Sequence, residues 1–275
     1  NYNISAEAKM AEFSSIIHRY SQTLDIDAQR KFEADMAHAL EDYQNTHKRQ
    51  WFTSTIIKIG RSDLKLAHTA IIPGHLLNQF AMDEYKGVLR VGTTISPIQW
   101  SSNNSVSDVY TLDDSLNIIG SATDMGHNER IHGIRFVGDR GYVVTFRQTD
   151  PLYVLDLSNP QDPHIAGELK IPGYSAYLHP INHDRLLGIG RENQQVKVSL
   201  FDVSDASNPQ ELDTYKLDEY WSETESDHHA FLLDDKHNIF FIPSAKGGYI
   251  FSWKDDSLKL EKAVSLSGVQ RALYI

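Results

Sequence analysis

The chain has 275 residues, a formal net charge of −11 and no cysteine. Its length permits one large domain or two small ones, and a hydrophobic fraction of 40% excludes a disordered chain. The excess of acidic residues argues against nucleic-acid binding, which needs a basic face. The absence of cysteine excludes disulfides, thiol catalysis and thiolate metal sites. No stretch reaches the roughly 18 consecutive apolar residues of a membrane span, so none is predicted.

The first part of the chain, residues 1–50, is predicted to form two amphipathic helices joined by a short turn. Phe13 and Ile17 belong to one apolar series at helical spacing, and Phe32 and Met36 belong to a second. Each helix offers a single apolar stripe, which is too little for an independent core. We therefore expect a helical hairpin that is inserted in, or attached to, a larger domain. A partner-docking arm is the alternative.

From residue 51 onward the apolar period changes to two, which is typical of β-strands. Short apolar runs repeat in units of roughly 40–50 residues, and each unit contains four strand-like segments. The first segments of the units begin alike: Leu77–Phe80, His132–Arg135, Tyr174–Tyr177 and His228–Phe231. A fifth such start, Gln270–Leu273, stands at the end of the sequence, and two strands precede the first full unit: Thr53–Ile59 and Leu64–Ile71.

Four-stranded antiparallel units of this length are the blades of a β-propeller. The sequence therefore predicts an all-β fold over residues 51–275, a propeller of about four full blades plus partial ones, behind the N-terminal α-helical hairpin. Because the first and last units are incomplete, we expect the chain to be part of a larger propeller. The acidic turns Asp156–Pro160 and Asp202–Pro209 lack the ligand pattern of a calcium loop and are predicted to be structural turns.

Several stretches of the sequence match a known family. They include Leu76–Tyr85, Val144–Leu152, Gly167–Gly173, Gly188–Glu192, Leu200–Asp205 and Asp227–Leu232. In these stretches the chain resembles the secreted C-terminal β-propeller domain family, which is distantly related to WD repeats. The resemblance implies export to an extracellular or periplasmic location and further blades in full-length members, and it supplies no reaction. His229 departs from the family pattern, in which this position tends to be lysine.

A binding site is expected at one end of the central channel. The first strand of each blade lines the channel, and antiparallel pairing places its start beside the end of the second strand. Residues at these positions are polar, and seven of them are candidate ligand-binding residues: Asn78, His132, Arg147, Arg191, Glu192, His228 and Arg271. The alternative is that they only line a water-filled channel.

The candidate residues allow two kinds of ligand. The arginines can bind a carboxylate or a phosphate through paired hydrogen bonds. His132, His228 and Asp227 are weaker candidates for a transition-metal site. Neighbouring residues on a strand face opposite sides, so His228 and His229 cannot both enter the channel easily. The sequence requires no cofactor, and calcium or a transition metal is compatible with it.

We therefore predict a secreted propeller scaffold that binds an anionic small molecule or a protein partner at its channel mouth. The alternative is an enzyme, a hydrolase or a metal-dependent oxidoreductase, with its site in the same mouth. The sequence identifies no catalytic residue. The expected partners are a protein or the remaining propeller blades supplied by another fragment. We expect neither a nucleic-acid partner nor a membrane span.

Overall fold

The computed structural model describes residues 5–96, 104–146 and 150–273. The chain divides into two compact units, residues 1–48 and residues 49–275. Helices make up the described part of the first unit, and β-sheets dominate the second. Within the described ranges, no helix combines the length and the apolar character that crossing a membrane requires.

The first unit is a helical hairpin, as its apolar spacing predicts. Its helices are α1 (Ala6–Ser21) and α2 (Ile26–Trp51), the second of which continues past the unit. Ser5 Oγ accepts the backbone N–H of Ala8 at 3.2 Å, and Asp25 Oδ1 accepts that of Ala28 at 2.9 Å. Each helix therefore begins at a side-chain cap, which satisfies an amide of its first turn.

The second unit begins with a two-stranded antiparallel sheet, formed by β1 (Thr53–Ile59) and β2 (Leu66–Pro73). Four sheets of four antiparallel strands follow, and each joins four consecutive strands of the chain. Blade 1 contains β3 (Met82–Tyr85), β4 (Val88–Ile95), β5 (Val106–Leu112) and β6 (Ile118–Met125). Blade 2 contains β7 (Arg130–Val137), β8 (Arg140–Phe146), β9 (Asp150–Asp156) and β10 (His164–Ile171).

The last two sheets have the same order. Blade 3 contains β11 (Tyr174–Pro180), β12 (Arg185–Glu192), β13 (Gln195–Asp202) and β14 (Gln210–Lys216). Blade 4 contains β15 (Leu232–Asp234), β16 (Ile239–Ser244), β17 (Gly247–Lys254) and β18 (Ser257–Ser265). The predicted fold class, four-stranded antiparallel blades that follow an N-terminal helical hairpin in the sequence, is confirmed.

The first strands of blades 1 and 4 begin later than the sequence predicts. Their expected starts are short 3₁₀ helices instead: Gln79–Ala81 and His228–Ala230. The reason is a polar cap, because Asn78 Oδ1 accepts the N–H of Phe80 and Asp227 Oδ1 accepts that of His229, both at 2.9 Å. Such a side-chain cap offers the backbone an alternative to strand pairing.

The further strand predicted at Gln270–Leu273 is absent. These four residues have no regular secondary structure. In the part of the chain that the structure describes, β1 and β2 pair only with each other, so the two-stranded sheet gains no third strand from this segment.

The apolar core lies between successive blades. Alternating side chains of a strand point to opposite faces of its sheet. In β8, for example, Tyr142 and Val144 pack against blade 3, whereas Val143 packs against blade 1. One buried cluster joins the two-stranded sheet to blade 1, and three more join blade 1 to 2, 2 to 3, and 3 to 4.

The acidic turns between the third and fourth strands are structural, as predicted. The carboxylates of Asp156 and Asp202 accept the backbone amides of Ser158 and Ser204 at 2.8 and 2.9 Å. Each turn packs on the outermost strand of the preceding blade, where a glycine makes room for it. An added Cβ at Gly167 of β10 would collide with the backbone of the blade 3 turn.

Candidate functional site at the channel mouth

The candidate site lies where the first strands of blades 2 and 3 begin, at the end of the blades where the sequence predicts a channel mouth. The register places Tyr174, at the start of β11, opposite Arg191, and places Phe146, at the end of β8, opposite Arg130. The chain enters β11 through Gly173, whose φ of +84° and closeness to the Arg191 carbonyl oxygen leave no room for a Cβ. These side chains therefore gather at one end of the blades, as antiparallel pairing requires.

A cavity of about 430 Å³, here called the mouth cavity, opens at this position. Its lining is aromatic and polar: Phe146, Pro172, Gly173, Tyr174, Arg191, Glu192, Asn193, Gln194 and Tyr220. The ring centroids of Phe146 and Tyr174 are 4.8 Å apart, and His132 packs on both rings, at 5.5 and 5.1 Å. Tyr220 is 63% exposed, so the cavity presents an aromatic surface to solvent.

Arg191 is held at the mouth cavity by a partly buried ion pair. Its Nε donates to Glu225 Oε2 at 2.6 Å, and Glu225 Oε1 accepts the backbone N–H of Ser222 at 3.0 Å. Burial raises the pKa of the Glu225 carboxyl, while the bonds from Ser222 and Arg191 oppose that rise. The guanidinium lies 5.2 Å from the ring centroid of Tyr220. The pair balances the Arg191 charge and leaves other guanidinium N–H donors at the cavity.

Glu192, at the same cavity, is neutralised by two lysines. Lys216 Nζ lies 2.5 Å from its Oε1, and Lys197 Nζ lies 3.4 Å from its Oε2. Burial alone would raise the pKa of Glu192, but the contacts with these lysines lower it. Lys197 is itself buried and also pairs with Glu211 at 2.9 Å. Glu192 therefore belongs to a charge-balanced cluster.

A second group of side chains packs between the first strands of the blades. We define it as the inner cluster: Phe80, Arg135, Tyr177, His179 and Phe231. Arg135 Cζ lies 3.7 Å from the ring centroid of Phe80, and Arg135 Nε donates to the carbonyl oxygen of Leu178 at 3.1 Å. Burial lowers the pKa of Arg135. Among the described residues, no carboxylate forms an ion pair with this guanidinium.

His179 is a neutral member of the inner cluster at pH 7. Its Nδ1 lies 3.0 Å from the hydroxyl of Tyr177, and its ring centroid lies 4.6 Å from that of Phe231. Burial, followed by the charge of Arg135, lowers the pKa of His179 to about 4. The imidazole therefore acts as a packed, hydrogen-bonding aromatic group.

The 3₁₀ helix of blade 4 brings Asp227, His228 and His229 together. One ligand atom from each lies within 4.8 Å of the others, and the two imidazole centroids are 3.8 Å apart. The prediction that His228 and His229 face opposite sides is wrong, because this segment is a 3₁₀ helix and not a strand. His132 is not a member of this group among the described residues, and its ring packs on Phe146 instead.

Comparison with known proteins identifies the family. The family described as "Beta propeller domain" matches residues 14–270 of this chain. The chain belongs to this β-propeller family. The sequence resemblance to a propeller family related to WD repeats is thereby confirmed, and export from the cell stays a prediction.

Two relatives of the propeller come from archaea. An uncharacterized protein of Archaeoglobus fulgidus is 47% identical over 275 residues, and one of Methanocaldococcus jannaschii is 40% identical over 278 residues. The chain spans 43% and 44% of their lengths. A solved structure described as the mitotic checkpoint complex contains a chain that is 10% identical, with a TM-score of 0.53 over 78% of this chain and 62% of that one. This likeness concerns the fold.

The predicted site residues of the propeller fall into separate places. Arg191 and Glu192 line the mouth cavity, and His132 packs on the Phe146 and Tyr174 rings that line it. Two lie at the 3₁₀ helices: Asn78, which caps one of them, and His228, whose ring centroid is 5.0 Å from that of Phe80. Arg271 is exposed and makes no hydrogen bond or ion pair with the residues described. Arg147 lies outside the described residues.

Sequence reasoning missed Arg135, Tyr174 and Tyr220. Arg135 lies in the middle of β7, whereas the prediction considered only the starts of first strands and the ends of second strands. The available signal was a charged residue between the apolar Ile134 and Phe136 of one strand. A charged side chain in such a position needs specific partners, since burial of a lone charge is costly.

Proposed function

We propose that the propeller is a binding scaffold whose mouth cavity receives a side chain of a protein partner. The observation that carries the proposal is the exposed ring of Tyr220 beside Arg191, Tyr174 and Phe146 at one cavity. Tyrosine and arginine are enriched among the residues that dominate protein interfaces, together with other aromatic groups.

The charges of the cavity favour a partner group that is polar and has no strong net charge. Arg191 is balanced by Glu225, and Glu192 is balanced by Lys216 and Lys197. The guanidinium nevertheless keeps N–H donors beyond the Nε that binds Glu225. An aromatic side chain of a partner could therefore stack on Tyr220, and a backbone carbonyl oxygen of the partner could accept a hydrogen bond from Arg191.

The proposal is tested by selecting peptides from a random display library on the wild-type protein. We expect Tyr220→Ala to weaken the selected peptides by about 2 kcal/mol, or roughly thirtyfold in Kd, because truncation removes a central aromatic contact. Tyr20→Ala is the matched control, since Tyr20 is 53% exposed and belongs to the helical hairpin. Peptides that bind the Tyr220→Ala variant as tightly as wild type, or failure to select any, would contradict the proposal.

A small anionic ligand is a second candidate, and Arg135 favours it. Arg135 is a desolvated guanidinium whose observed hydrogen bonds, to Leu178 and Tyr177, use two of its five N–H donors. Calorimetric titration with succinate and with inorganic phosphate tests this candidate. We expect Arg135→Lys to weaken binding roughly tenfold or more, because lysine keeps the positive charge but lacks the paired N–H donors of the guanidinium. Equal affinities for the two proteins would contradict an Arg135 site.

Export is part of the same proposal and rests on the family resemblance. Fractionation of cells that express the full-length protein tests it, with recovery outside the cytoplasm as the expected result. Further blades from the remainder of the polypeptide are proposed because the relatives are more than twice as long as this chain. The enzyme alternative stays a prediction.

A further inference from the structure

The Asp227–His229 segment differs from other histidine sites of the propeller in holding two imidazoles on one turn. In a strand, consecutive side chains would point to opposite faces. A 3₁₀ helix has about three residues per turn, so consecutive side chains diverge by only about 120°. The rings of His228 and His229 can therefore lie side by side, with centroids 3.8 Å apart.

The carboxylate of Asp227 completes the group. Its Oδ1 accepts the backbone N–H of His229 at 2.9 Å and lies 3.0 Å from Nδ1 of the same residue. The same oxygen lies 4.0 Å from Nδ1 of His228. One carboxylate oxygen and two imidazole nitrogens thus face a common space, and they lie within 4.8 Å of one another.

We propose that Asp227, His228 and His229 bind a divalent transition-metal ion. Imidazole nitrogen suits zinc, nickel and copper, and a carboxylate oxygen is compatible with all three. Zinc ligands bound at 2.0–2.1 Å in a tetrahedron are about 3.4 Å apart. The rings must therefore move inward, and the exposure of Asp227 (50%) and His229 (66%) permits it. The remaining coordination positions face solvent and are taken by water.

The metal would also act between the two ends of the series of blades. Gln79 belongs to the 3₁₀ helix of blade 1, and its side-chain amide nitrogen lies 2.9 Å from Nε2 of His228 in blade 4. Rotation of that amide by half a turn exchanges its nitrogen and oxygen, and the oxygen is a metal ligand. An ion bound by His228 would thus lie near a side chain of the blade 1 helix and would hold blade 4 beside blade 1.

Other pairs of histidine and aspartate in the propeller provide the comparison. His183 Nδ1 lies 2.8 Å from Asp184 Oδ1, which matches the Asp227–His229 contact, but this pair has only one imidazole. A single exposed carboxylate–imidazole pair offers two protein ligands, and the Asp227 group offers three. His183→Ala is therefore a control that removes a similar histidine from a place where no site is proposed.

The test is calorimetric titration of zinc chloride into the protein without an affinity tag. We expect one zinc ion per wild-type chain, and binding weakened at least roughly tenfold in the variant carrying His228→Ala and His229→Ala. His183→Ala should bind as wild type does. Asp227→Asn keeps the oxygen that caps the turn and loses the carboxylate charge, so it should fold normally and bind zinc more weakly.

A second measurement protects the test against misfolded variants. Without metal, wild type and Asp227→Asn should have the same Tm. Zinc should raise the Tm of wild type more than that of Asp227→Asn, and a chelator should reverse the rise. Gln79→Ala should reduce that rise if the ion joins the two helices. Equal zinc binding by wild type and the double variant, or no binding to wild type at millimolar zinc, would overturn the proposal.

Discussion

At the scale of single residues, Asp108 is a buried charge that accepts several hydrogen bonds. Its side chain is fully buried and accepts from Arg49 Nε at 2.8 Å, from the Tyr110 hydroxyl at 2.5 Å and from the backbone of Asp124 at 2.9 Å. The hydrogen bond to Asp108 raises the pKa of Arg49, and burial raises the pKa of Tyr110. Removing the carboxylate would leave these donors without their acceptor.

We expect Asp108→Ala to lower the free energy of unfolding by about 3 kcal/mol, because the Tyr110 hydroxyl and the Asp124 amide lose their buried acceptor and Arg49 keeps only its ion pair with Asp124. Asp114→Ala is the control, since Asp114 pairs with Lys58 at the surface and its side chain is 85% exposed. Exposed pairs contribute little, so this variant should unfold at nearly the wild-type denaturant concentration. Urea unfolding compares the two variants. Similar losses in the free energy of unfolding would refute the claim that Asp108 stabilises the protein more than Asp114 does.

His179 makes stability depend on pH. An unfolded histidine has a pKa of about 6.5, and burial lowers that of folded His179 to about 4. Between these values the unfolded chain binds more protons, so the free energy of unfolding falls as the pH falls. The full contribution is present above about pH 6.5, and the loss is about 1 kcal/mol for each pH unit across the window.

The prediction is checked by urea unfolding at pH 7 and pH 5. The difference between the two pH values should shrink in His179→Gln, which cannot titrate in this window. Tyr177→Phe, which keeps the imidazole and loses the hydroxyl beside it, should retain most of the difference. An unaltered pH dependence in His179→Gln would show that other groups are responsible.

At the scale of elements, the strands could be predicted wherever apolar alternation and turn residues agree. Blades 2 and 3 begin with strands near the predicted starts, at Arg130 and Tyr174. In blades 1 and 4, the caps Asn78 and Asp227 divert the backbone into 3₁₀ helices. Each of these side chains accepts the backbone N–H two residues later, which competes with strand pairing. A hydropathy pattern does not reveal this competition.

The candidate site was less predictable than the blades. Antiparallel register follows from the fold, which is why Arg191 and His132 could be assigned to the mouth. The partner of Arg191 could not be predicted, because Glu225 lies in a 3₁₀ helix between blades 3 and 4. That helix belongs to an acidic segment that has no counterpart in the other repeats. Contacts of Arg135 with Phe80 likewise depend on how blades 1 and 2 are placed, which local sequence does not encode.

The surroundings of two strand glycines, Gly167 and Gly92, predict that their alanine variants differ in stability. An added Cβ at Gly167 would meet the Ala206 carbonyl and Pro209 Cδ, the latter at 2.9 Å, which belong to a rigid turn of the next blade. An added Cβ at Gly92 would meet Cδ1 of Ile134, the end of a flexible side chain. We expect Gly167→Ala to cost about 2 kcal/mol and Gly92→Ala clearly less.

Chemical denaturation of the two glycine variants measures this difference. The slope of the unfolding curve should stay the same in both, because neither change alters the surface exposed on unfolding. If Gly92→Ala were the more destabilising variant, the turn of blade 3 would have to be softer than its backbone contacts imply.

At the scale of the whole molecule, stability is divided among the interfaces between blades. Each buried cluster belongs to two consecutive sheets, and the partly buried Phe80 of blade 1 also packs against the cluster of blades 3 and 4. Proteins built in this way behave approximately as a series of units with nearest-neighbour coupling. Damage at one end of the series should therefore remain local.

We expect Phe240→Ala to destabilise blade 4 selectively. Phe240 is 1% exposed, and its ring stacks on Phe251 at 5.2 Å and on Phe231 at 5.8 Å. Its loss should cost about 3–5 kcal/mol and speed amide hydrogen exchange in β16 and β17 far more than in blade 2. Uniform acceleration across all blades, measured by mass spectrometry, would instead indicate a single cooperative unit.

The fit between an acidic turn and the glycine of the preceding blade has an evolutionary consequence. Gly120 of blade 1 accepts the turn of blade 2, and Gly167 of blade 2 accepts the turn of blade 3 in the same way. Blade 2 carries both halves of this joint, a turn that faces blade 1 and a glycine that faces blade 3, whereas the outer strands of blades 3 and 4 contain no glycine. A copy of blade 2 inserted in frame directly after it would find matching surfaces on both sides, so duplication of this one unit could lengthen the series without compensating substitutions.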